Sequence, residues 1–346
     1  MEEKIKIAYI EIDCHSEILF NFMSLMEESE LFRVNYYISK EVLDELQLGF
    51  YENLICVTKG NIFTKLDKDF KLVIIGTGDK YFSVYKRIAK AYHTCAIIHN
   101  LNLAYTKNIF FNKEIKISLI HRFGLMFTKN AFLKELKRIY ILDESLHRRH
   151  EFLKTRYFPL FFNSGRTEQN PRSCIKIVVP GTVEQKRRNY LRVFKKVKCF
   201  KGKMQLILLG KAKGEELTWI RKAVNEIPDN IELVYFEKHI DQNKYDQVLS
   251  DADLLWCPFQ ETTNYNGVIE FYGVTKISGC LGDAIRFGKP TIFPSLFQLK
   301  YDFVFQEEDD LENQIQKILK MSFNFENFKK NSVLKKLENE LLQCIK

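Results

Sequence analysis

The stretch Tyr272-Gly-Val-Thr-Lys-Ile-Ser-Gly-Cys-Leu-Gly-Asp-Ala-Ile-Arg-Phe-Gly-Lys-Pro290 decides the fold class. A glycine-containing turn opens a predicted helix, and Gly288-Lys-Pro290 closes it before the buried strand Thr291-Ile-Phe-Pro294. Ser278 and Gly279 place unpaired backbone N–H groups at the positive end of that helix, where phosphate oxygens bind favourably. Lys276 adds a mobile cation beside them. Asp283, about one turn into the helix, can accept hydrogen bonds from ribose hydroxyls. Taken alone, the segment can also be read as an ordinary α/β unit whose glycines only let helix and sheet pack closely.

The flanking sequence repeats the pattern. Residues 175–180, 204–209, 231–236, 254–259 and 291–293 read as strands, separated by helix candidates such as 184–197 and 215–225. Upstream, residues 5–12, 33–39, 71–77 and 94–99 are strands, with helices over 16–29 and 80–92; residues 113–156 read as mainly helical. Alternation of short apolar strands with helices signals parallel sheets covered on both faces. A stretch dense in turn formers, residues 163–173, separates the two series. The expected organisation is α/β with two doubly wound Rossmann-like domains, 1–165 and 173–320. A last helix within 321–346 can cross back to the first domain. Ligands in such sheets sit beyond the carboxyl ends of the strands, so two facing sheets make a two-substrate cleft.

Composition narrows the class. The chain of 346 residues is 46% hydrophobic and carries 29 Phe and 16 Tyr against only 7 Pro, a globular composition. No apolar run approaches the roughly 20 residues that span a bilayer, and the N-terminus enters a strand directly, which fits a cytoplasmic protein. Eight scattered cysteines with no CxxC pair fit reduced thiols, most of them in apolar strand patterns. The net charge of +9 suits an anionic partner, with local concentrations at 147–156 and at Lys186-Arg187-Arg188 and beyond. A charge run of this kind is also an ordinary solvated face. The aromatic and basic residues around Phe110, Phe111, His121, Phe123, Phe127 and Phe132 fill a core on the simpler reading. The alternative is peripheral contact with anionic lipid at the inner face of the membrane.

Three segments resemble the GT-B glycosyltransferases of the group 1 and glycosyltransferase 4-like type. Residues 178–190, Val-Val-Pro-Gly-Thr-Val-Glu-Gln-Lys-Arg-Arg-Asn-Tyr, resemble the first strand and loop of the family's donor domain. Residues 245–259 resemble its helix-to-strand segment, and residues 275–290 its donor-binding helix. The resemblance implies a fold of two facing Rossmann-like domains. It also implies transfer of a sugar from a nucleoside-diphosphate sugar to a glycan or lipid-linked acceptor, in cell-surface glycan synthesis. Gly181, Lys186, Arg187, Arg188, Glu270, Lys276, Ser278, Gly279 and Asp283 are then the donor-binding candidates, with no metal or other cofactor expected. One departure stands out: Asp283 fits the second acid of the common retaining families, but the first position is Thr275. Glu270, just upstream, can substitute only if the loop is remodelled.

Acceptor activation is expected from the first domain. His99, followed by Asn100 at a strand end, resembles the segment at which related enzymes present acceptor-side residues. His15 lies beside Asp13 in the first strand-to-helix loop. Either imidazole can remove a hydroxyl proton near neutral pH, and either can equally be a hydrogen-bonded structural group. Gly76-Thr-Gly-Asp79 lacks the lysine of a P-loop and is expected to shape the acceptor side. Asp251-Ala-Asp253 matches a metal-binding string of another glycosyltransferase fold, but falls where a helix hands over to a buried strand. Two rivals remain: a sugar-nucleotide epimerase of the same fold, and a noncatalytic protein that binds polyanions or nucleic acid. No nucleic-acid motif supports the second, so no nucleic-acid partner is expected.

Overall fold

The buried apolar runs of the sequence become the strands of two parallel sheets. The structure, a computed structural model, describes residues 3–46, 51–105, 119–149, 155–163, 165, 174–265, 267–295, 297 and 301–346. The first part runs β1 (Ile5–Glu11), α1 (Ser16–Met26), β2 (Phe32–Ile38), α2 (Lys40–Leu46), β3 (Leu54–Cys56), α3 (Ile62–Lys65) and β4 (Leu72–Ile75). It continues through α4 (Phe82–Ala91), β5 (Thr94–Ile97), α5 (Leu101–Tyr105), α6 (Leu119–Glu135), β6 (Arg138–Ile141), α7 (Glu144–Arg149) and β7 (Thr155–Tyr157). Its strands pair in parallel in the order β3-β2-β1-β4-β5-β6-β7.

The second part repeats the design. It runs β8 (Ile175–Pro180), α8 (Tyr190–Val197), β9 (Met204–Lys211), α9 (Gly214–Val224), β10 (Ile231–Phe236), α10 (Gln242–Asp251) and β11 (Leu254–Trp256). The hairpin β12 (Thr262–Tyr265) and β13 (Val268–Phe271) follows, then α11 (Gly279–Phe287), β14 (Thr291–Phe293), β15 (Val304–Gln306) and α12 (Leu311–Ile318). The parallel order β10-β9-β8-β11-β14-β15 is, in local count, 3-2-1-4-5-6. Both sheets therefore reverse strand order beside their first strand, between β1 and β4 and between β8 and β11.

The chain ends in α13 (Lys330–Ile345), which lies on the first domain. Glu338 accepts a 2.6 Å hydrogen bond from Ser29, Glu340 pairs with Arg138 at 2.7 Å, and His93 Nε2 lies 2.7 Å from the Cys344 carbonyl oxygen. Leu337 and Leu341 join a core that also holds Phe22 of α1, Phe161, and Leu281 and Ala284 of α11. One apolar network thus runs from the first sheet through α13 to the second domain. Burying such side chains contributes roughly 1.5–3 kcal/mol each.

Several local expectations change. The helix expected over 184–197 begins only at Tyr190, because the Asn189 side chain caps it by accepting from Arg192 N (3.1 Å). The basic run 186–188 is therefore a turn, not a helix face. Residues 113–156 are mainly helical where described, through α6 and α7, with β6 and the start of β7 extending the sheet between and after them. The loop 260–271 is a hairpin. The last helix starts at Lys330, after a 3-10 turn over Glu326–Phe328. Phe132 is fully buried whereas Phe127 is exposed. Phe110, Phe111, His150 and Lys154, most of the boundary stretch 163–173, and the side chains of His121, Phe123 and 147–149 lie outside the described residues.

Candidate active site

The C-terminal ends of β1, β4 and β5 converge at the first sheet's reversal point. The chain leaves β1 through Glu11 and Asp13 and enters α1 at His15, whose backbone is left-handed at φ 72°. Tyr81, entering α4, is left-handed too, at φ 51°. For a residue other than glycine this costs about 1–3 kcal/mol, and such strain concentrates at functional sites. Asp13 ties the two turns together, accepting from Lys80 Nζ (2.5 Å), the Tyr81 hydroxyl (2.7 Å) and Cys14 Sγ (2.9 Å). Burial opposes its charge, but these donors hold its pKa below the usual carboxylate range.

The His15 ring stacks on that of His99, with centroids 4.1 Å apart and planes 14° from parallel. Their pKa values are driven apart. Burial disfavours the charged form of His15, yet hydrogen bonds to Cys14 and to Glu17, whose carboxylate lies 3.1 Å from Nδ1, lift it well above the ordinary value. Burial, reinforced by the charge on His15, drives His99 well below. His99 Nε2 lies 2.9 Å from the Gly76 carbonyl oxygen, so in the neutral ring that nitrogen carries the proton. Asp79 fixes the His99 backbone by accepting from its N–H (3.1 and 3.2 Å) and also accepts from Asn100 Nδ2 (2.6 Å). Burial pushes the Asp79 pKa up to about 6. Below them Glu11, fully buried, accepts from Thr77 Oγ1 (2.8 Å), and burial pushes its pKa up to about 8.

The second sheet presents the opposite wall. Ser278 caps α11, its side chain accepting from Cys280 N, and Gly288 ends the helix in the left-handed conformation (φ 60°). Among the described residues, nothing beyond the helix's own backbone and the adjoining residues lies within 4 Å of where a Gly279 Cβ would stand, so the first turn of α11 opens onto free space. Arg188 is turned inward from the β8–α8 turn and is only 8% exposed. Its NH1 donates to the Thr182 carbonyl (3.0 Å), its guanidinium lies 5.2 Å from the Phe259 ring centroid, and its Nε has no partner among the described residues. Gly181 at φ 89° makes room for it, since a Cβ there would stand 2.4 Å from NH2. Among the described residues no carboxylate lies within ion-pair distance of this buried cation. Asp283 accepts from the Tyr245 hydroxyl (3.1 Å), and burial followed by repulsion from Cys280 pushes its pKa up to about 8.

The two walls touch through residues 269–276. Glu270 is fully buried and accepts from Leu103 N (2.7 Å), Asn102 N (3.2 Å) and Thr275 Oγ1 (2.6 Å), tying β13 to the start of α5. Lys276 donates to Asn100 Oδ1 (2.5 Å), and the backbones of these two residues form an antiparallel bridge. Burial lowers the Lys276 pKa, opposed by Asp79 and Glu270 and reinforced by Arg187, so Arg187 shares its field. Tyr265, on the hairpin, has the ammonium groups of Lys276 and Lys80 at 5.2 and 5.9 Å from its ring centroid.

The structure thus gathers Gly181, Arg188, Ser278 and Gly279 at one wall, and His15, His99 and Lys276 at the other. The Lys186 side chain is 78% exposed and, among the described residues, pairs with Glu184 (3.7 Å). The Glu270 carboxylate is engaged by the amides of the first domain. Asp253 accepts from Lys176 N (2.7 Å) at the entry ends of β8 and β11, on the edge opposite the cleft. Sequence reasoning passed over Glu11, Lys80, Tyr81 and Tyr265. An acid inside the apolar run 5–12 was the available signal for Glu11.

No family model matches the sequence, and no curated protein matches it. Solved structures do. HepE of Anabaena in complex with UDP is similar over 98% of this chain and 100% of that one, at 9% identity and a TM-score of 0.62. A glycosyltransferase from Rickettsia africae matches over the full length of both chains at 10% identity and a TM-score of 0.60. A UDP-N-acetylglucosamine 2-epimerase, so described, from Listeria monocytogenes is similar over 99% and 98% at 11% identity and 0.51. Together with the two facing sheets, these likenesses establish the GT-B fold.

Proposed function

We propose that the protein transfers a glycosyl group from a nucleoside-diphosphate sugar to an acceptor hydroxyl. The observation that carries the reading is Arg188, a buried guanidinium whose Nε has no partner and which meets no carboxylate among the described residues. It stands beside an open helix N-terminus at the strand-reversal point of the second sheet. A buried cation paired with no carboxylate among the described residues is costly, its nearest anionisable neighbour being the Cys280 sulfur at 3.8 Å, and a diphosphate can supply the further negative charge. On this reading the amides of Ser278 and Gly279, with Arg188 and Arg187, receive the charge that develops on the leaving diphosphate, without requiring a metal. Asp283 is one turn further along and can hold ribose hydroxyls. A cavity of about 300 Å³ at the end of β10, lined by Tyr235, Phe236, Lys238, His239, Asp241 and Lys244, can take the base.

His15 is the proposed base. Its Nδ1 is engaged by Glu17, the tautomer-fixing arrangement that leaves Nε2 to accept an acceptor hydroxyl proton. His99 lies behind it, buried and bound to Gly76, and positions the ring by stacking. Lys276, held on Asn100, joins the donor wall to this edge. The family resemblance extends the reading to a glycan or lipid-linked acceptor in cell-surface glycan synthesis. The test is a nucleotide-release assay with UDP-, GDP-, CDP- and dTDP-sugars, with and without EDTA and with saccharide acceptors. Acceptor-dependent release of one nucleotide, indifferent to EDTA, is expected; epimerised sugar nucleotide without acceptor would replace this reading with an epimerase.

A further inference from the structure

A cavity of about 440 Å³ lies where the outer edges of both sheets meet the C-terminal crossing. Tyr157 ends β7, the edge strand of the first sheet, and Tyr301 leads into β15, the edge strand of the second. Phe328 of the 3-10 turn and Val333 of α13 continue the apolar wall. In the first sheet β7 stands four strand spacings from β1, roughly 19 Å at about 4.8 Å each, so the cavity is separate from the strand-reversal cleft. Its volume falls within the roughly 300–1,000 Å³ of small-molecule pockets.

The lining combines flat rings with groups that match hydroxyls. Tyr301 is fixed by Phe303, stacked on it with centroids 5.4 Å apart and planes at 25°, and by Phe328 at 6.0 Å. The Asn324 side-chain oxygen accepts from Glu326 N (2.8 Å), which leaves its amide nitrogen as the donor for a ligand. The Asn324 backbone N–H donates to the Asp302 carboxylate (3.4 Å), and Glu144 adds a second carboxylate from the first domain. Lys336 donates to the Asn327 carbonyl oxygen (3.3 Å). Two carboxylates against one ammonium, itself engaged by the backbone, make an anion a poor occupant. A sugar ring has apolar C–H faces for the aromatic rings and hydroxyls that both donate and accept, so it satisfies both halves of the lining.

We propose that this cavity is a second binding site, for a neutral saccharide that lies on the Tyr157, Tyr301 and Phe328 rings and bonds Glu144, Asp302 and Asn324 through its hydroxyls. Because Tyr157 belongs to the first domain and Tyr301 to the second, the bound sugar bridges the domains at their edge strands. The site stands independently of the transferase reading.

The experiment titrates maltotriose, cellotriose and N-acetylchitotriose into the full-length protein, followed by saturation-transfer NMR, with spermidine and inorganic phosphate as a cation and an anion of other chemistry. Saturable binding of at least one trisaccharide is expected, undiminished by saturating UDP. Asn327→Trp and Lys336→Trp each replace an exposed residue of the lining with a side chain that fills the cavity, and each should weaken that binding at least tenfold. The thermal midpoint of each variant is read alongside, and the one that keeps the natural midpoint decides. No binding of any trisaccharide, binding of equal strength in the variant, competition by UDP, or saturable uptake of spermidine or phosphate in place of the sugars overturns the proposal.

Discussion

The two walls of the cleft are built on the same strand order but manage charge in opposite ways. On the first-domain edge almost every charge meets a partner within the protein: Asp13 with Lys80 and Tyr81, His15 with Glu17, and Asp79 with His99 and Asn100. On the second-domain edge a buried guanidinium meets a backbone carbonyl, a ring face and a sulfur, and the helix amides beside it open onto space. The first edge is a network of paired charges whose geometry stands without a ligand, as a proton-transfer surface would on the proposed reading. The second is an incomplete electrostatic site that an anion completes. Under the proposed transferase reading, the contrast fits acceptor chemistry at one wall and donor binding at the other.

The largest expected effect breaks the comparison at the first wall. His15→Gln should lower turnover by about 10²–10⁴-fold while leaving nucleotide affinity in place, as measured by single-turnover kinetics beside equilibrium titration. The pH profile sharpens the assignment. A base whose pKa is raised acts only once deprotonated, so with His15 the acidic limb of kcat/KM should have its midpoint above 6.5. A midpoint below 6.5 would transfer the role to His99, whose pKa is depressed. At the second wall, Arg188→Gln should weaken nucleoside-diphosphate binding by roughly 10–100-fold, the scale of a lost charge-assisted contact, with turnover at saturation less affected.

Smaller effects concern the junction and the buried acid. Glu270→Ala leaves the Asn102 and Leu103 amides without their acceptor and should destabilise the chain by about 1–3 kcal/mol in denaturant titration. An unchanged midpoint would show that β13 does not tie the domains. Glu11 has a folded-state pKa of about 8 against 4.5 in an exposed carboxyl, so the native chain holds an extra proton between those values. Its contribution to stability therefore falls as pH rises across that window. Glu11→Gln removes the titration and should gain about 1–4 °C in Tm relative to the natural protein at pH 8.5 compared with pH 5. An equal difference at both values would mean that Glu11 titrates normally.

Much of the fold was legible because it is written in local pattern. The apolar runs 5–12, 71–77, 94–99, 175–180, 204–209 and 231–236 each became a strand, and the Ser278 cap and Gly288 stop bounded α11 as the turn chemistry requires. Legibility fails where the decision is long-range or set by one side chain. Asn189 capping shortened α8 and left Arg188, rather than its neighbours, turned inward. The Arg138–Ile141 run became β6 only because β5 and β7 lie on either side of it. Glu270 could not be read as an interdomain tie, since its amide partners stand some 170 residues earlier in the chain. The stacking of His15 on His99 likewise needs two strand ends brought together, which no spacing in the sequence encodes.

The most direct test of the account is a calorimetric titration of UDP, GDP, CDP and dTDP into the natural protein and Arg188→Gln, in the presence of EDTA. The account predicts saturable binding of one nucleoside diphosphate to the natural protein, weakened at least tenfold in the variant. Binding of equal strength in both proteins, or no binding of any of the four to the natural protein, would contradict it.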